Sequence, residues 1–233
     1  MSFTLAACSG GDDHTDARRT TRAEPTTTAP SVTEPTTTSP TTTSANFAAS
    51  VDAVTADDLP STYREGCPVP PEALRRVHVS FWGFDGSAHE GNLVVAADVT
   101  DDVVTVFRQL FDERFPIRSI TPEDAFGGSD PDSMAADNTS AFNCRDAVAA
   151  GPPQWSEHAF GRAVDVNPLE NPYVFEGTAQ PSAGASFLDR AAVRPGMAVP
   201  GGPLVEAFQA VGWEWGGAWD GSPDYQHFSP SGG

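Results

Sequence analysis

Ser156 to Asp165 reads SEHAFGRAVD. It places a histidine seven residues ahead of an aspartate, with one glycine between them, in a chain that has only five histidines. Glycine turns most freely of all residues. If Gly161 turns the chain, His158 lies on the turn and Asp165 on the strand suggested by RAVDV, Arg162–Val166. An imidazole and a carboxylate are then neighbours. An open catalytic zinc site takes three ligands from His, Asp, Glu or Cys and leaves one place for water. DYQHF, Asp224–Phe228, reads as a final strand and offers His227 as the third ligand. His14 lies in the polar front segment, and His78 and His89 fall in a hairpin; none of the three is taken as a ligand.

Working outward, PEALRRV (71–77) reads as a short helical turn. VHVSFWGF (77–84) alternates apolar and polar residues as a strand does, and Asp85-Gly86 marks a turn into a returning strand at 92–99. Thr100 is expected to cap a helix with Asp101 and Asp102 in its first turn, where carboxylates suit the dipole. Val103, Val104, Phe107, Leu110 and Phe111 form its buried stripe, and Pro116 ends it. Residues 117–121 and 140–145 are expected strands. Residues 122–139 read as loop, and 167–200 as a long irregular segment, which in a compact domain is usually functional. PLVEAFQAVG (203–212) has Pro near its start and Gly at its end, as helices prefer. Strands and helices mix without a βαβ rhythm. The expected fold class is α+β, a mainly antiparallel sheet with flanking helices.

Composition changes sharply near residue 50. Residues 24–45 are almost entirely Thr, Pro, Ser and Ala, with nothing apolar to bury. Residues 9–57 are taken as a disordered tether and 58–233 as one domain. Residues 1–8 resemble the end of a truncated bacterial lipoprotein signal, with Leu5-Ala6-Ala7 leading to Cys8 as the lipidated residue. This implies an exported protein of the bacterial envelope, anchored to the membrane and facing the cell wall. In that compartment Cys67 and Cys144 are expected to form a disulfide. The net charge is −19, and all 13 basic residues are arginine. Nucleic-acid binding needs a basic face and is excluded as an expectation. A monomer is expected.

The pattern Ser156-x-His158-x-x-Gly161-x-Ala163-x-Asp165, followed by Asp224-x-x-His227, resembles the zinc peptidases that cut peptidoglycan stem peptides. These are the VanY-type D-alanyl-D-alanine carboxypeptidases and the L-alanyl-D-glutamate peptidases. AFNCR, HAFGRAVDVNPLENPY and GWEWGGAWDGSPDYQHF extend the likeness over about residues 66–229, with NPLENPY and WGGAW closest to the endopeptidase-like branch. The resemblance implies a fold shared with hedgehog signalling domains and one zinc ion held by His158, Asp165 and His227. It implies Asp224 as the catalytic carboxylate and, on looser spacing, Arg145 as the group facing the oxyanion. Ser156, assigned to substrate, either orients the metal site or substrate or caps a turn. Trp213, Trp215 and Trp219 are divided between core and groove, with Trp215 and Trp219 assigned to substrate.

The chemistry agrees. Zinc lowers the pKa of bound water toward neutrality, a carboxylate shuttles the proton, and an arginine stabilises developing negative charge. Residues three apart on a regular strand face opposite sides. Asp224 therefore needs a bend to reach the site of His227, and Pro223 favours one. Glu214 is a weaker candidate base. Asp130 and Asp132 lack the rest of a calcium loop. No Gly-x-Ser-x-Gly elbow surrounds Ser156, which excludes a serine hydrolase. The alternative is a non-catalytic, zinc-containing wall-binding module on the same fold.

Overall fold

Alternating burial along two long strands organises the domain. The computed structural model describes residues 45–148 and 152–232. Cys8 and most of the tether lie outside the described residues. A first strand, β1 (Ala49–Ala53), pairs antiparallel with β2 (Leu74–Trp82), which pairs antiparallel with β3 (Ala88–Ala96). Composition assigned 49–53 to the tether, but those residues are an exposed edge strand. The front of the folded part therefore precedes residue 58.

Val77, Val79 and Phe81 on β2, with Leu93 and Val95 on β3, face one core. Val94 points the other way, into a second cluster with Leu59, Leu74, Phe142 and Cys144. The period-two alternation of a strand makes one sheet serve both. The first core is closed by α1 (Thr100–Asp112), whose Val103, Val106, Phe107, Leu110 and Phe111 are buried. Thr100 does not cap this helix; it is the first helical residue, and its hydroxyl donates to the Ala97 carbonyl.

β4 (Ser119–Ile120) runs parallel to β5 (Asn138–Thr139). Between them, the expected loop holds a 3-10 turn at Glu123–Phe126 and α2 (Asp130–Ala135). Ser129 caps α2 through its Oγ, and Pro131 sits near its start. Residues 140–145, expected as a strand, form none; Ser140 bridges to Asp165, and the Phe142 amide donates to the Val94 carbonyl of β3. At the other end, 71–77 makes one 3-10 turn, Pro71–Ala73, before β2 begins.

The C-terminal half carries β6 (Val164–Asp165), the hairpin β7 (Tyr173–Phe175) and β8 (Thr178–Gln180), α3 (Pro203–Ala210), β9 (Glu214–Trp215) and β10 (His227–Ser229). β10 is central, with β6 and β9 antiparallel on either side. The long segment 167–200 is held by two buried asparagines. The Asn167 amide donates to the Pro116 and Gly196 carbonyls. Asn171 Oδ1 accepts from Ala198 N and Arg190. Few helices and mainly antiparallel sheets make the described residues an α+β arrangement. No helix among the described residues is long and apolar enough to cross a membrane.

Cys67 and Cys144 are bonded, with Cα atoms 5.8 Å apart and a sequence separation of 77. Closing so long a loop is worth about 4 kcal/mol in the chain-entropy account. Replacing both cysteines by serine is expected to lower Tm by roughly 8–16 °C in calorimetry, and reductant should do the same to the unaltered chain. An unchanged Tm would show that the link contributes nothing.

Candidate metal centre

The turn at Ser156–Gly161 is built from short-range chemistry. Ser156 precedes a 3-10 turn, Glu157–Phe160, and its Oγ accepts the amide of His158 at 3.3 Å. This is a capping role, and Ser156 also lines the cavity into which the centre opens. Gly161 ends the turn at φ +67°, where side chains are strained. A Cβ there would also meet the Ala96 amide nitrogen at 2.7 Å, so the turn packs directly on the end of β3. The chain then enters β6, where Asp165 lies directly opposite His227 of β10.

Three side chains thus converge. His158 Nε2 stands 3.1 Å from Asp165 Oδ2, and His227 Nδ1 stands 3.2 Å from Asp165 Oδ1. One ligand atom from each residue lies within 4.8 Å of the others. Ligand atoms at about 2.0–2.1 Å from a tetrahedral ion are separated by roughly 3.3 Å, so the spacing fits a small divalent cation. His158 Nδ1 donates to the Ala141 carbonyl, which fixes the tautomer and frees Nε2. All three residues are buried.

In the metal-free chain the charges balance internally. Burial acts to lower the His158 pKa, but the Asp165 charge and hydrogen bond outweigh it and raise it to about 9. Asp165 is held well below the usual carboxylate range: burial opposes this, and the two histidines overcome it. His227 is pushed down, first by burial, against the pull of Asp165. One imidazole therefore carries a proton that a metal would displace, and the other is already neutral.

The centre opens into a cavity of about 770 Å³ whose walls include Arg145, Tyr173, Trp219 and Asp224. Asp224 does sit at a bend. Its amide bonds the Gly216 carbonyl, its carbonyl accepts the His227 amide, and it bridges Tyr173 rather than continuing β10. Gly216 permits this approach, since a Cβ there would meet the Asp224 carbonyl oxygen at 2.8 Å. Asp224 Oδ1 is buried without a partner. Burial, then the Asp165 charge, raises its pKa well above the ordinary value. Arg145 lines the cavity and pairs with Asp130 at 3.0 Å.

Of the two tryptophans assigned to substrate, only Trp219 lines the cavity, with its ring 5.3 Å from that of His227. Trp215 is a correction. It belongs to the core, and its indole donates to the Tyr225 carbonyl. Trp213 is core as well, bonded to Asp102 of α1. Glu214 is exposed and outside the cavity. His78 and His89 pair with Asp52 and Asp85 away from the centre.

Sequence reasoning missed a buried layer behind the site. Glu123 accepts from Ser140 Oγ at 3.0 Å and from the Asn143 amide group. Burial, reinforced by Asp130, lifts its pKa to about 7. Nothing in TPEDAF distinguishes this carboxyl from a solvated one.

Residues 150–230 match a family model described as D-alanyl-D-alanine carboxypeptidase. The match bears out the resemblance to VanY-like peptidases over the segment that holds all three converging side chains and Asp224. Arg145 and both disulfide cysteines precede it. No curated protein and no solved structure matches the chain.

Metal binding should depend on pH in a defined way. His158 has a folded pKa of about 9, above the ~6.5 of a free imidazole. Its ion pair stabilises the metal-free fold fully below pH ~6.5, and that contribution is lost as pH rises through about 9. A metal must displace the same proton. Apparent zinc affinity, measured by chelator competition, is expected to climb about tenfold per pH unit between pH 7 and 8.5. A flat profile would mean that His158 holds no proton. His158→Ala should abolish zinc binding altogether.

Proposed function

We propose that this chain is a zinc-dependent peptidase that hydrolyses peptidoglycan stem peptides. The observation that carries the proposal is one cavity holding both the His158, Asp165, His227 triad and the unpartnered carboxyl of Asp224. The family match over the same segment supports it. The hedgehog-like fold, the export of the chain to the bacterial envelope and its anchoring through Cys8 belong to the same proposal.

A zinc ion held by His158, Asp165 and His227 supplies Lewis acidity and makes water nucleophilic at neutral pH. The residues of the chain do the rest. Peptide hydrolysis adds one water across the C–N bond, leaving a carboxylate and an amine. Water gives up a proton on attack, and the leaving nitrogen needs one. Asp224 Oδ1 is placed to take that proton and hand it on. Its raised pKa suits the task, because a carboxyl of ordinary acidity would hold a proton poorly near neutrality. Arg145 brings the cavity's one guanidinium among the described residues, and its charge is felt at His158, Asp165 and Asp224. That charge opposes the negative charge that builds on the scissile carbonyl. Asp130 holds the guanidinium in place. The non-catalytic alternative gives no reason to bury Asp224 beside the metal ligands.

Mass spectrometry of purified peptidoglycan incubated with the zinc-loaded chain tests the proposal. New muropeptide termini are expected; zinc content without new termini would favour the binding module. Asp224→Asn keeps the size and removes the proton acceptor. Zinc affinity should change little, while cleavage falls about 10²–10⁴-fold. Normal turnover would move the role elsewhere, and loss of zinc would make Asp224 a ligand.

A further inference from the structure

Gln226 lines the cavity one residue before His227, and no step of the hydrolysis uses it. Its backbone is fixed, because its carbonyl accepts the Val166 amide just past β6. Its side chain is 2% exposed, and Nε2 points at Met134 Sδ, 3.4 Å away. A thioether sulfur accepts a hydrogen bond but cannot donate one, so the amide nitrogen is the end that faces it. Oε1 is thereby left over, buried and with no donor. An acceptor left unpaired in a wall costs free energy that a ligand N–H recovers.

The surroundings of Gln226 indicate which N–H. Met134 belongs to α2, and Asp130, which holds the Arg145 guanidinium at 3.0 Å, lies one helical turn before it. Side chains four apart on a helix are about 6 Å apart. Asp130, Met134, Arg145 and Gln226 all line the cavity. One wall therefore carries a donor, Arg145, and an acceptor, Gln226, on neighbouring turns of the same helix. An extended peptide residue turns its own N–H and C=O to the same edge. With its carbonyl toward Arg145, its N–H meets Gln226.

We propose that Gln226 is a specificity-determining residue that reads the backbone N–H of the residue supplying the scissile carbonyl. This rests on the peptidase function proposed above. The contact holds that residue extended along the wall and sets its carbonyl before Arg145. It reads the main chain alone. A linkage without an N–H at that position, an ester or an N-alkylated amide, presents Oε1 with a lone pair or a carbon and is rejected.

The test uses the zinc-loaded full chain and the peptide Ac-L-Ala-γ-D-Glu-L-Lys-D-Ala-D-Ala. Mass spectrometry first locates the bond that is cut. A second peptide carries an ester oxygen in place of the N–H of the residue that supplies that carbonyl, which removes the donor without adding bulk. The ester should lower kcat/KM about 10–100-fold. In Gln226→Met the two peptides should be cut at nearly equal rates, with zinc affinity by chelator competition as in the unaltered chain. Where Gln226→Met fails to fold, Met134→Leu replaces it. Leucine fills a similar volume but accepts nothing, so the Gln226 amide can turn its nitrogen inward and the ester penalty should shrink. Absence of an ester penalty in the unaltered chain overturns the proposal, as does a penalty undiminished in the variant used. If the peptide is not cleaved, calorimetric binding of peptides with one ester at each amide position in turn decides this inference alone. One position whose ester weakens binding to the unaltered chain but not to the variant upholds it, and no such position overturns it. The peptidase proposal itself falls only if purified peptidoglycan is not cleaved either.

Discussion

Everything at the centre depends on one cross-strand pair. Asp165 of β6 lies opposite His227 of β10, and the Asp165 carboxylate is buried between two imidazoles. Burying a lone carboxylate costs several kcal/mol, and the cost is tolerable only when the charge is matched on every side. The strand register does the matching. A slip of one residue would turn Asp165 to the opposite face and bring Val164 or Val166 toward the histidines. Those valines are fully buried in the core, so the apolar pattern of β6 and the position of the carboxylate enforce each other.

The second support lies behind the site. The extended segment from Ser140 to Arg145 touches almost every part of it. Ser140 bridges to Asp165, the Ala141 carbonyl accepts the His158 ring, the Asn143 amide bonds the His158 carbonyl, and Arg145 faces the cavity. This segment joins no strand ladder and is held by other anchors, among them the Phe142 amide on the Val94 carbonyl and the Cys144 amide on the Thr62 carbonyl. Glu123 grips Ser140 and Asn143 from the buried side, and the disulfide holds Cys144 to the second core cluster. The link therefore stabilises the fold and fixes the backbone that carries Arg145 at the same time.

Much of this was legible in the sequence because the signals were local. Alternation in 77–84, the stripe of α1, the turn glycine at 161 and Pro223 ahead of Asp224 each act within a few residues, and each gave a usable expectation. What escaped was fixed by partners distant in sequence. β1 alternates Ala49, Val51 and Ala53 with Ser50 and Asp52 but buries neither face, so its composition resembles the tether; its pairing with β2 makes it a strand. Trp215 and Trp219 are four residues apart in one glycine-rich stretch, yet one fills the core and the other faces the cavity. The difference comes from β9 pairing with β10, which points Trp215 inward, and from the turn at Gly216–Ala218 that follows. Asn167 and Asn171 looked like loop residues, although their side chains replace the backbone pairing that 167–200 lacks.

The two carboxyl groups of the centre show how position divides labour between identical chemistry. Asp165 sits between two imidazoles, and the charge of His158 with the hydrogen bonds of both rings holds it ionised despite its burial. Asp224 is equally buried, but it has no donor on Oδ1 and must share the cavity with the charge of Asp165. Like charges held close cannot both ionise easily, so the second carboxyl binds a proton more readily than an ordinary aspartate. In the proposed mechanism one is a ligand and the other a proton carrier, a division that their different surroundings support. The cause is the bend before β10. A straight strand would have turned Asp224 away from His227, the coupling to Asp165 would have vanished, and the group would have titrated as an ordinary surface aspartate. The role proposed for Asp224 thus rests on Pro223 and Gly216, which shape the backbone there, as much as on the carboxyl itself.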